Sequence, residues 1–123
     1  MLLQDFYKVE QLNKLSEDKY EAFVSLNKDS DIFKGHFPGN PVTPGVCMMQ
    51  IIKELTEEIL EVKLFMTNSS NVKFMALINP EKNPKLKLDL EINVSDENAI
   101  KVKNTTMFDE TVALKLTNTY KKI

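Results

Sequence analysis

Only one stretch of this chain carries a long helical period, and the sequence after it mostly alternates. From Pro44 it reads "PGVCMMQIIKELTEEIL", and Val46, Cys47, Met48, Met49, Ile51 and Ile52 make the first half of that run apolar almost all round. A helix with so little polar surface has to be enclosed by other elements. Its second half becomes amphipathic, with Leu55, Ile59 and Leu60 turned inward and Lys53, Glu57 and Glu58 outward. Pro44 suits the first turn, where its missing N–H would have had no partner.

The remaining segments have a period of two. "KYEAFVSLNK" sets Tyr20, Ala22, Val24 and Leu26 against mostly polar neighbours, and "KLKLDLEINVS" puts Leu86, Leu88, Leu90, Ile92 and Val94 on one face. "NVKFMAL" is a short candidate strand; "AIKVKNTTMF" and "TVALKLTNTY" come after it, set apart by the turn signals "SDEN" and "FDE". The opening "LLQDFYKVEQLNKL" shows helical spacing at Leu2, Phe6 and Val9 and reads as a short helix or irregular turn. Alternating strands with one wet face imply an antiparallel sheet. A flat sheet cannot cover an apolar helix, but a bent one can wrap it. The expected class is α+β, one domain over residues 1–123, a curved antiparallel sheet around one long central helix. Wrapping leaves open sheet edges, which a homodimer or a higher even oligomer would pair across a two-fold axis.

Composition narrows the function. Every positive charge is a lysine, and the chain contains no arginine and no tryptophan; with a net charge of -2 this argues against a nucleic-acid binder. The early Asp5 and the lack of an apolar core in "MLLQDFYKVEQL" argue against a signal peptide, and no apolar run reaches membrane-spanning length. A single cysteine, Cys47, gives no disulfide framework and no metal cluster; it reads as core. A cytoplasmic protein is expected.

The densest constraint lies just before the helix. "GHFPGNPVTPGV", residues 35–46, holds all three glycines, three of the five prolines and the one histidine, His36. The prolines fix several φ angles and bias Phe37, Asn40 and Thr43 to extended geometry. This loop sets His36 near the N-terminus of an apolar helix, where backbone N–H groups lack intrahelical partners. An acid–base site is one reading of that arrangement; an ordinary turn with an exposed histidine is the other.

The same run resembles the signature of the 3-hydroxyacyl-acyl-carrier-protein dehydratases of fatty-acid synthesis: a histidine, Phe-Pro-Gly, a further proline, Pro-Gly-Val, then a helix. "NVKF" at 71–74 resembles a basic-aromatic stretch of that family as well. The resemblance implies the hotdog fold, in agreement with the periodicity, and sites built at a dimer interface. It implies dehydration of a 3-hydroxyacyl thioester to the trans-2-enoyl thioester, in fatty-acid or related polyene and lipid biosynthesis. His36 would be the base, the Gly45 N–H would bind the thioester carbonyl, and Phe37, Val46 and Met49 would contact substrate. No cofactor or metal is required. The partner would be acyl carrier protein, with Lys34 and Lys73 as candidate docking residues.

One position departs from the pattern. Fourteen residues beyond the histidine the family carries a carboxylic acid, and here stands Gln50. An amide can orient a hydroxyl or a water but cannot deliver a proton, and losing a general acid commonly forfeits roughly 10²–10⁴ in rate. Many family members place a glutamine one turn after the acid, where this chain has Glu54, so the two groups have exchanged places in the sequence. Residues four apart share a helix face, which would let Glu54 take the acid role beside Gln50. The alternatives are a solvated stripe of Gln50, Glu54, Glu57, Glu58 and Glu61, and with it a non-catalytic or half-catalytic subunit that binds acyl chains or pairs with an active homologue. A hotdog thioesterase is a third reading, disfavoured by the intact loop.

Overall fold

The computed structural model describes residues 5–35, 39, 41–95 and 99–123. In chain order the elements are β1 (Tyr7–Lys14), β2 (Lys19–Leu26), α1 (Asp31–Gly35), α2 (Gly45–Leu60), β3 (Leu64–Phe74), β4 (Lys85–Val94), β5 (Ala99–Phe108) and β6 (Thr111–Lys122). The strands form one sheet in the order β1-β2-β4-β5-β6-β3, antiparallel at every neighbouring pair. One inner face packs on α2. From β4 it contributes Leu86, Leu88, Leu90 and Ile92, and from β5 Ile100 and Val102, all buried.

The helix buries one side, not all of itself. Cys47, Met48, Ile51, Ile52, Leu55 and Thr56 face the sheet, and Ile51, Ile52 and Leu55 are completely shielded from solvent. Each such aliphatic side chain stabilises the fold by about 1.5–3 kcal/mol relative to exposure. Thr56 is tolerated there because its hydroxyl donates to the Ile52 carbonyl at 2.8 Å. The opposite side contradicts the expected full enclosure: Val46 is 67% exposed and Met49 only partly buried. A single sheet covers one face of a helix, and Val46 lies off that face. The helix stops where Glu61 turns left-handed at φ 55° and its N–H meets the Glu57 carbonyl.

The N-terminal segment is a strand rather than a helix or turn. Tyr7 pairs with Leu26 and Val9 with Val24, but a bulge between Val9 and Gln11 shifts the register, so that Leu12 and not Gln11 packs against the core. That bulge breaks the period of two between Val9 and Leu12; Leu2, the first of the helically spaced residues, lies outside the described residues. The second difference is β3, which starts at Leu64 and not near Asn71. It is an edge strand with a bulge between Ser70 and Lys73, where Asn71 takes φ 54°. Asparagine visits that left-handed region more readily than most residues. At the β5–β6 turn Asp109 sits at φ 53°, as the "FDE" signal implied; most of "SDEN" lies outside the described residues.

Candidate active site

The N-terminus of α2 forms one half of the candidate site. Pro44 is its N-cap, extended at φ -62° and ψ 143°, and its carbonyl accepts from the Cys47 and Met48 amides at 3.0 and 3.2 Å. Gly45 and Val46 come too early in the helix to find an intrahelical carbonyl, so their N–H groups point out of its positive end. Gly45 is confined by Phe74: a Cβ at this position would lie 2.8 Å from the Phe74 ring. A side chain here would have to push the exposed Phe74 ring aside.

Beside this terminus lies an apolar cavity of about 520 Å³ lined by Thr43, Gly45, Met48, Phe74, Leu77 and Ile78 among others. Its size and lining suit an aliphatic chain. Val46 and Met49, expected to contact substrate, are not among those walls, whereas Met48 is. A helix that is apolar all round does not reveal from sequence which side meets the cavity. Thr43 anchors the rim, with its N–H on the Ile78 carbonyl at 2.9 Å and a buried hydroxyl that meets no hydrogen-bond partner among the described residues.

The other half of the candidate site is a three-residue network. Gln50 Nε2 donates to Glu54 Oε2 at 2.9 Å, and the Tyr7 hydroxyl donates to Glu54 Oε1 at 2.8 Å. Gln50, Glu54 and Tyr7 are all half-buried. The sequence places Gln50 and Glu54 together; Tyr7, which comes from the other end of the fold, it does not reveal. Burial, then the hydrogen bond to Glu54 and the charges of Glu54, Glu58 and Glu57, push the Tyr7 phenol well above its usual range. It therefore remains a donor at neutral pH. The supposed solvated stripe is divided: Glu57 Oε2 accepts from the Leu64 N–H at 2.8 Å, and of its five residues only Glu58 and Glu61 are exposed.

His36 and Phe37 lie outside the described residues; α1 ends at Gly35, immediately before them. Cys47 is buried, and that burial pushes its thiol up, away from the thiolate needed for attack. Of the two candidate docking lysines, Lys34 pairs with Asp31 at 3.0 Å, while Lys73 is exposed and sits opposite Lys115 in the sheet. Among the described residues no helix is long and apolar enough to cross a membrane.

The cavity and the network occupy nearly opposite sides of α2. At 3.6 residues per turn, Gly45 and Met48 point about half a turn away from Gln50 and Glu54. Both would meet one substrate only if two helices, from two chains, contributed to the site.

A family model described as ApeI-like, the ApeI dehydratase, matches residues 11–114. The chain is 29% identical over 116 residues to the 3-hydroxyacyl-[acyl-carrier-protein] dehydratase FabZ of Petrotoga mobilis, covering 87% of this chain and 80% of that one. With the FabZ of Zymomonas mobilis it shares 28% identity over 120 residues, covering 92% and 73%. Among solved structures, the dehydratase heterocomplex ApeI:P from Xenorhabdus doucetiae superposes with a TM-score of 0.68 at 18% identity, covering 92% of this chain and 96% of that one. A hypothetical thioesterase with coenzyme A from Streptococcus pneumoniae gives 0.67 at 14%, covering 99% and 91%. At such identities the structural likenesses establish the hotdog fold alone, whereas the family match spans most of the chain. The chain belongs to the ApeI-like dehydratase family.

Proposed function

We propose that this protein dehydrates 3-hydroxyacyl thioesters carried on acyl carrier protein to trans-2-enoyl thioesters, in cytoplasmic fatty-acid or related polyene and lipid biosynthesis. The observation that carries this reading is the match to the dehydratase family over residues 11–114, which takes in the whole "GHFPGNPVTPGV" loop. His36 removes a C2 proton, and the Gly45 N–H at the helix terminus stabilises the enolate-like oxygen that develops on the thioester carbonyl. Glu54, as the carboxylic acid, gives its proton to the 3-hydroxyl, which leaves as water, and is left as the carboxylate that Tyr7 and Gln50 hold; Gln50 orients that hydroxyl. The acyl chain lies in the cavity beside Gly45, where Met48 adapts to different chain ends. The thioesterase reading gains only a likeness of fold, and fold does not decide chemistry.

The test is direct. Purified protein is incubated with 3-hydroxyacyl and, separately, trans-2-enoyl thioesters, and the products are followed by mass spectrometry. Interconversion in both directions is expected; release of free acid and thiol without it would favour the thioesterase. No turnover at all would leave the acyl-binding subunit as the correct reading.

The same reading requires a dimer. The edge strand β3 exposes Phe65, Met66, Val72 and Phe74, and the residues after it expose Met75 and Leu77. An open edge with so many apolar side chains is an invitation to strand pairing. A second copy aligned along β3 would cover it, close the sheet edge and bring the network of one chain toward the cavity of the other. The expected solution mass at micromolar concentration is that of an even oligomer of the 14.1 kDa chain. A monomeric mass would contradict the shared site.

A further inference from the structure

We propose that Tyr7 is a positioning residue of the dehydration site: its hydroxyl sets the Glu54 carboxylate, which in turn holds the amide of Gln50. The inference rests on the dehydratase reading and adds to it a residue from the far end of the sequence.

The polarity of the network has one sense. A carboxylate accepts, while a phenol O–H and an amide N–H donate. Tyr7 takes Oε1 and Gln50 takes Oε2, so the two donors fix the carboxylate from both sides. Engaging the Gln50 N–H also settles which arm of its amide is the acceptor: Nε2 is turned to Glu54, and the carbonyl oxygen occupies the other arm. A glutamine held by a carboxylate thus presents an oxygen that can accept from a substrate hydroxyl. Without the Tyr7 hydroxyl Oε1 loses this donor, and with it one of the bonds that orient the carboxylate toward Gln50.

Tyr7 itself is rigidly mounted. Its backbone pairs with Leu26 in β2. The preceding Phe6 is completely buried and stacks on Phe33 of α1, with ring centroids 5.0 Å apart. The Asn27 amide N–H donates to the Phe6 carbonyl at 2.8 Å, and its side chain donates to the Asp5 carbonyl at 2.7 Å. The phenol therefore reaches Glu54 from a braced strand and not from a loose end. A hydrogen bond that spans 47 residues to reach a half-buried carboxylate, from a donor so firmly held, is what a prepared site needs.

Tyr7→Phe keeps the ring and removes the donor, so it isolates the hydroxyl. Turnover of a 3-hydroxyacyl thioester should fall about 10- to 100-fold in kcat, the range for a hydrogen bond to a charged group, with KM little changed. The decisive readout is the combination with Glu54→Gln: if Tyr7 acts through Glu54, Tyr7→Phe causes no further loss in that background. Thermal melts of all variants separate this from a loss of fold. Wild-type kcat in Tyr7→Phe, or losses that multiply independently in the double variant, would overturn the inference while leaving the dehydratase reading standing. An inactive wild-type protein would overturn both.

Discussion

Replacing His36 with alanine is expected to lower turnover by at least roughly 10²–10⁴, the range that general acid–base groups supply, while the protein keeps its fold. The size of the effect is rooted in the sequence. His36 is the one histidine of the chain, so no second imidazole can take over proton abstraction at neutral pH. Cys47 is buried with its thiol pushed up, so it does not replace His36 as a base. The fold should survive because the elements flanking the loop are held independently. Phe33 is buried against Phe6 on one side, and Thr43 is pinned to the Ile78 carbonyl on the other. Kinetics with a 3-hydroxyacyl thioester, paired with a thermal melt, check both halves. An alanine variant with wild-type turnover would remove His36 from the mechanism.

The elements read correctly from sequence are those with one wet face and one dry face. In β4 and β5 the period of two survives because Leu88, Leu90, Ile100 and Val102 all meet the helix while their neighbours meet water. Where that condition fails, the signal fails. β1 hides behind its bulge at Val9 and Gln11, and the first half of β3 has little dry face at all, since Phe65 to Asn68 are exposed in the single chain. The helix was legible in extent but not in rotation, which is why Met48 and not Met49 or Val46 faces the cavity. The Gln50–Glu54 pair was legible because residues four apart on a helix must be neighbours. Tyr7 was not, because its contact depends on how a distant strand is placed.

The exchange of amide and acid has the second large effect. Glu54→Gln should abolish most activity: it removes the proton donor, and it sets an amide against two donors, the Tyr7 hydroxyl at 2.8 Å and the Gln50 amide at 2.9 Å. A glutamine offers one oxygen where the carboxylate offers two, so a donor is left facing a donor, at a further cost of about 1–3 kcal/mol. Gln50→Glu should give no gain and some loss. It would replace a 2.9 Å hydrogen bond by two carboxylates at that separation, and half-buried like charges resist sharing a site. Gln50→Ala should be milder than Glu54→Gln, since the carboxylate keeps Tyr7.

The measurement that bears most directly on this chemistry is therefore the turnover of 3-hydroxyacyl thioester by the wild-type, Glu54→Gln and Gln50→Glu proteins, side by side and each verified as folded. An active wild type, a nearly inactive Glu54→Gln and a Gln50→Glu no better than wild type would establish that the acid acts from position 54. A Glu54→Gln protein as active as wild type, together with a Gln50→Glu protein that gains activity, would show instead that the acid was lost and that Glu54 has no part in the chemistry.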